Sequence, residues 1–273
     1  MYSDKKLSNC SSLAERFAQG TNSFSVREKA KLLYEIRIGE RKDASSIEWL
    51  NDLMRNGALE LGHIDNEMYC DLLEGKLSSK DLKTFLDAYY WGSGYGFQRV
   101  VLPLAAKRKV NDVWKSYIKD IIYEENTPSS HCGIFKEFIE NIGVELSAMP
   151  RSAERFIESM NKGYQNNLDY ALGYALGIET EADFQIALIY ISLARVYEPE
   201  VNKTSFFEIH LDEYGEEMHA QETCQCIEAI LVECDGKREC VEEGFRQAII
   251  DTMNYMHDIK NEIVKAKQPE MSL

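Results

Sequence analysis

The sequence predicts an all-α protein, and three observations carry that prediction. Apolar residues recur at the 3.6-residue helical period over long stretches, with little of the alternation expected of strands. Only five prolines occur in 273 residues, so few positions interrupt such runs. Hydroxyl–carboxylate pairs three residues apart, Ser25 with Glu28, Ser45 with Glu48 and Ser78 with Asp81, have the form of capping boxes, in which the two side chains satisfy free amides of a first helical turn.

In chain order, each of those pairs predicts a helix start. Further helices are predicted over about 108–125, 131–143, 151–178, 180–197, 204–234 and 237–266. Breaks are predicted at "GSGYG" (92–96), "NTPSS" (126–130), "AMP" (148–150), "EPEV" (198–201) and "CDGK" (234–237), where Gly, Pro, Ser and Asn gather. Residues 268–273 are predicted to be a disordered tail. With no fixed-period repeat in view, a compact bundle is expected rather than a solenoid.

Composition narrows the function. The chain carries 31 basic and 46 acidic side chains, a net charge of -15, which argues against nucleic acid or an anionic membrane surface as partner and favours a small-molecule substrate. No apolar run approaches the ~18 residues of a membrane span. Seven cysteines, an odd number without zinc-ribbon spacing, and no charged-then-apolar leader lead to the expectation of reduced thiols in a cytoplasmic protein. The tightest pair, "CQC" at Cys224 to Cys226, reads as small apolar residues on a helix.

Three segments offer metal-ligand chemistry. In "YEENTPSSHCGIFKEF", Glu124 and Glu125 close one helix and His131 opens the next. In "YALGYALGIETEADFQIALIYISLARVY", Glu179 and Glu181 sit within a long apolar run, so each carboxylate either lies on a thin polar stripe or is buried and compensated. In "FFEIHLDEYGEEMHAQE", Asp212, Glu216 and His219 share one helical face, the alternative being an acidic solvated face. His210 points away on a straight helix and joins them only through a bulge, for which Gly215 is a plausible place. Together the segments supply the carboxylates and imidazoles that a di-iron centre in a helical bundle requires.

The order of these segments resembles the haem-oxygenase-like di-iron oxidases and oxygenases, also called the iron-containing redox enzyme family. "GKLSSKDLKTFLDAYYW" looks like that family's leading core helix, "EENTPSSH" with "FKEFIENIG" its glutamate-then-histidine helix, "GIE" at Gly177 to Glu179 its central glutamate, and "FFEIH…H" its last ligand helix. The resemblance covers about residues 70–230. It implies a haem-oxygenase-like helical bundle over 67–267 with an N-terminal helical extension over 1–66; the sequence leaves open whether that extension is a homodimer contact or a lid. It implies Glu124, His131, Glu179, Glu216 and His219 as metal ligands, with His210 and Asp212 competing for a sixth place, because Tyr214 stands where the family has an acid. The implied cofactors are two Fe(II) ions, or Mn at one site, with O2 as co-substrate. The implied activity is O2-dependent oxidation of an amino-acid-derived, amine or carboxylate metabolite in a biosynthetic pathway. His63 and His257 match no motif position, and both read as surface or capped residues. Tyr89, Tyr90, Trp91 and Phe97 are candidate pocket walls, and Arg99 and Arg195 candidate partners of a substrate carboxylate. Two rival readings share the fold: a thiaminase-like or cofactor-free enzyme, with Cys132 as the candidate nucleophile, and a metal-poor binding protein.

Overall fold

The computed structural model describes Leu13, Phe17, Thr21 and residues 23–211, 216–234 and 236–267, of which 216, 217, 233 and 234 by backbone only. All regular structure among these residues is helical. The predicted disordered tail, Asp212, the proposed bulge at Gly215 and the Glu216 side chain lie outside them.

The helices are α1 (Val26–Tyr34), α2 (Glu48–Glu60), α3 (Glu67–Glu74), α4 (Ser79–Tyr89), α5 (Asp112–Glu124), α6 (His131–Asn141), α7 (Arg151–Gln165), α8 (Leu168–Ala194), α9 (Phe206–Leu211), α10 (Glu216–Cys234) and α11 (Arg238–Ala266). Single turns and two π-helical segments, Glu35–Gly39 and Tyr90–Val101, join them. The capping boxes at Ser25 and Ser78 form and open α1 and α4. The pair at Ser45 does not. Helix α2 starts after Ile47, and the Ser45 hydroxyl instead donates to Glu228 on α10 at 2.7 Å, a long-range partner that sequence spacing does not show.

Helix α8 is the axis of the bundle. From Ala171 to Leu193 every residue except Ala182 is buried, as expected of a helix that is apolar nearly all round. Helices α7, α10 and α11 pack along it. The approach of α11 is set by glycines: a Cβ on Gly173 would lie 1.9 Å from the Val241 carbonyl oxygen, and one on Gly244 would lie 2.0 Å from that of Tyr170.

Two predicted breaks are corrected. The one placed near residue 179 falls instead at Asn166–Asn167, where the Asn167 side chain accepts from the Tyr170 amide at 3.0 Å and caps α8. Gly177, within the helix, faces Ala248 Cβ at close range and serves packing rather than termination. Nor does "GSGYG" break the chain. Helix α4 runs directly into the π-helical segment, and Gly92 and Gly96 make room for the Tyr255 phenol and the Ile157 side chain.

The N-terminal elements pack on the same axis. Arg37 and Arg41, from the first π-helical segment and the turn after it, hold the buried Asp183 of α8 at 2.6 and 2.5 Å. Among the described residues no helix is long and apolar enough to cross a membrane.

Candidate metal centre

The site begins at the end of α5. Glu125 is the C-cap of that helix, and its carbonyl oxygen accepts from the His131 amide at 2.9 Å, closing the loop between them. Ser130 caps α6 by accepting from the Gly133 amide, which places His131 in the first helical turn. Gln98, reaching over from the π-helical segment, donates to the Glu125 carbonyl and, at 3.4 Å, to its carboxylate, while its own oxygen accepts from Ser130 at 2.8 Å. One buried amide thus orients the glutamate and the cap of the histidine helix together.

His210 on α9 completes this group. Ligand atoms of Glu125, His131 and His210 all lie within 4.8 Å of one another, and all three residues are buried. The His131 and His210 rings stand 4.8 Å apart, at 71° to each other. His210 Nδ1 is 2.6 Å from the Phe206 carbonyl oxygen, so a proton there leaves the lone pair on Nε2, the usual way a ligating imidazole is oriented.

A second group adjoins it. His219 on α10 lies between Glu124 and Glu179, with Nε2 2.9 Å from Glu124 and Nδ1 3.6 Å from Glu179. Thr223 donates to the His219 carbonyl and shares a 2.7 Å hydrogen bond with the buried Tyr117 hydroxyl, anchoring this turn of α10.

Burial raises the Glu125 carboxyl, but the hydrogen bond with His131 and the nearby imidazoles of His131, His210 and His219 outweigh it and hold the group below the ordinary glutamate value. Glu222, one turn beyond His219, is raised by burial and then by the charge of Glu124. Burial, followed by the charge of Glu179, pushes the Tyr117 and Tyr164 phenols well above their usual value.

Three carboxylates and three imidazoles therefore gather in the interior. The ion-pair partners of Glu124, Glu125 and Glu179 are histidines, and Glu179 Oε1, buried, has no hydrogen-bond partner in the protein. A buried carboxylate oxygen with no donor is costly, and a mixed oxygen and nitrogen set suits a hard-to-borderline divalent ion such as iron or manganese. Glu125, His131 and His210 fit a metal ion, and Glu124, Glu179 and His219 lie beside them with the two His219 ring nitrogens facing different glutamates.

No protein-family profile and no curated sequence matches the chain. Two crystal structures of a CADD-like protein of unknown function from Nostoc punctiforme are similar to it in fold. One aligns with a TM-score of 0.59 at 15% identity, covering 95% of this chain and 99% of that one. The other aligns with a TM-score of 0.60 at 17% identity, covering 81% and 95%. At such identities the likeness shows a shared helical fold.

The predicted site residues are distributed as follows. Glu124, Glu179 and His219 meet, and His131 meets His210. The neighbour of His131 is Glu125, which the sequence reading left at the helix end without a role. The two glutamates diverge because the chain leaves α5 at that point, and neither spacing nor residue type distinguishes them. His63 is not a surface or capping residue: it is fully buried, with Nε2 2.8 Å from Glu181. Arg99 donates to Ser130 and Arg195 to the Leu73 carbonyl, so neither faces the cavity beside Glu125, His131 and His210. Tyr89 and Phe97 do line that cavity, but Tyr90 and Trp91 do not. The cavity measures about 80 Å³, and its wall joins Glu125, His131, His210 and Glu179 to aromatic and aliphatic side chains.

Proposed function

We propose that the chain is a non-haem di-iron oxidase or oxygenase that uses O2 to oxidise a small metabolite held in this cavity. The observation that carries the reading is the buried convergence of Glu125, His131 and His210 from three separate segments, beside Glu124, Glu179 and His219. Glu125, His131 and His210 would hold one ion, and a second would draw on Glu124, Glu179 and a single ring nitrogen of His219. When bound, a ferrous pair supplies the electrons and the O2-binding positions that amino-acid side chains lack.

The protein's own contribution is positional. Gln98 fixes the Glu125 carboxylate, the Phe206 carbonyl fixes the His210 ring, and Thr223 steadies the turn that carries His219. Phe97, Phe135, Phe156 and Phe206 wall the cavity and keep water from the ligand atoms.

Metal analysis tests the proposal. Protein purified without oxygen and reconstituted with ferrous ion is expected to hold two irons per chain and to consume O2 when a substrate is supplied. A chain that takes up no iron after reconstitution would overturn it.

A further inference from the structure

Glu181 is a second kind of carboxylate in the same cavity. It lies on the face of α8 that also carries Ile178, Ala182 and Gln185, and all four line the cavity. It is only 2% exposed. Its Oε2 is fully engaged: His63 Nε2 lies 2.8 Å away, the Tyr69 hydroxyl 3.3 Å and the Gln185 amide 3.5 Å. Its Oε1 is buried with no hydrogen-bond partner.

The surroundings provide little counter-charge. Tyr34, Tyr69 and Phe184 enclose the His63 ring, and His63 Nδ1 has no hydrogen-bond partner. Arg37 and Arg41 are committed to Asp183. Among the described residues, the cavity wall contains no lysine or arginine. A buried carboxylate oxygen with no donor is costly, and no cation on the wall offsets it. A substrate carboxylate would worsen this balance, whereas a substrate ammonium would correct it and would give Oε1 its missing donor.

The rest of the wall selects the remainder of the ligand. Phe156, Met160, Ile178 and Ile186 add apolar wall to the same cavity. The volume of about 80 Å³ is well below the ~150 Å³ that admits benzene, which restricts the body to a few carbons. We infer that the cavity takes a small alkylammonium, with its nitrogen on Glu181 Oε1 and its carbon chain directed at the metal centre. This names the substrate class for the oxidase reading above and rests on it.

The test compares ethylamine, ethanol and acetate, ligands of similar size with different heads, by anaerobic titration calorimetry on the iron-reconstituted protein. Iron per chain is measured on the same samples. The amine is expected to bind at least tenfold more tightly than either rival, and Glu181→Gln to keep its iron while losing that preference. Equal binding of the three ligands, a preference that survives Glu181→Gln, or loss of iron in that variant would each overturn the inference. If the wild type takes up no iron, the oxidase reading falls, and the same comparison of wild type with Glu181→Gln still decides the amine site. Should Glu181→Gln fail to fold, Gln185→Lys places an ammonium one turn from Glu181. It is expected to raise the melting temperature and abolish amine binding, and a folded Gln185→Lys that binds ethylamine like the wild type would overturn the inference.

Discussion

Glu124 and Glu125 are adjacent glutamates with different partners, and the difference is measurable. Glu125 faces His131 and His210, while Glu124 faces His219. Glu124→Gln and Glu125→Gln are each expected to lower iron stoichiometry from two per chain towards one, read by elemental analysis after anaerobic reconstitution. Full retention in either variant would remove that glutamate from the ligand set. Sequence reading found the segment because Glu, Glu and His around a short break are metal-ligating types. It could not choose between neighbours, since that choice depends on where α5 ends. His63 was harder still, because nothing local marks an imidazole whose partner, Glu181, lies on a distant helix. The cysteines are a simpler case: Cys224 and Cys226 are buried on α10, and burial pushes both thiols from 9.0 to about 12. The unfolded chain therefore loses these protons first as pH rises. The stability they contribute is complete below pH 9 and declines between 9 and 12. In denaturant titrations across that range, a Cys224→Ala/Cys226→Ala double variant should lose stability less steeply than the wild type, although the buried tyrosines contribute a fall of the same sign.

Helix contacts show where glycine serves closeness rather than flexibility. The backbones of α8 and α11 touch through Gly173 and Gly244, each lying where a methyl group would strike a carbonyl of the other helix. Gly173→Ala gains helix propensity but forces the pair apart, and overpacking of this kind costs about 1–3 kcal/mol. A lowered melting temperature is the expected result; an unchanged one would show that the helices can separate cheaply. The same effect explains why "GSGYG" was misleading. Clustered glycines usually mark a turn, but Gly92 and Gly96 sit against Tyr255 and Ile157, contacts that exist only once α11 and α7 have packed. Conversely, the Asn166–Asn167 break was written in residues with strong capping chemistry and was obscured by the apolar period that continues on both sides of it.

The whole bundle depends on long-range polar contacts in its interior. Helical class, most helix positions and the segments that bring Glu125, His131 and His210 together were legible because period, capping and residue chemistry are local properties. The clamp of Arg37 and Arg41 on Asp183 was not, because its partners are more than 140 residues apart in sequence. Removing the acid would leave two buried or half-buried guanidinium groups without their anion. Asp183→Asn is therefore expected to cost roughly 3–5 kcal/mol, read as a shift in the unfolding midpoint. A neutral result would mean that solvent reaches the arginines.

Helix α8 presents acids at three alternate positions: Glu179 to His219, Glu181 to His63, and Asp183 to the arginine pair. Deleting one residue upstream of Glu179 within α8 would swing all three by about 100° in a single event. The proposed metal centre, the proposed amine contact and the arginine clamp are thus geared to one shaft, which can accept exchanged side chains far more readily than any change in its length.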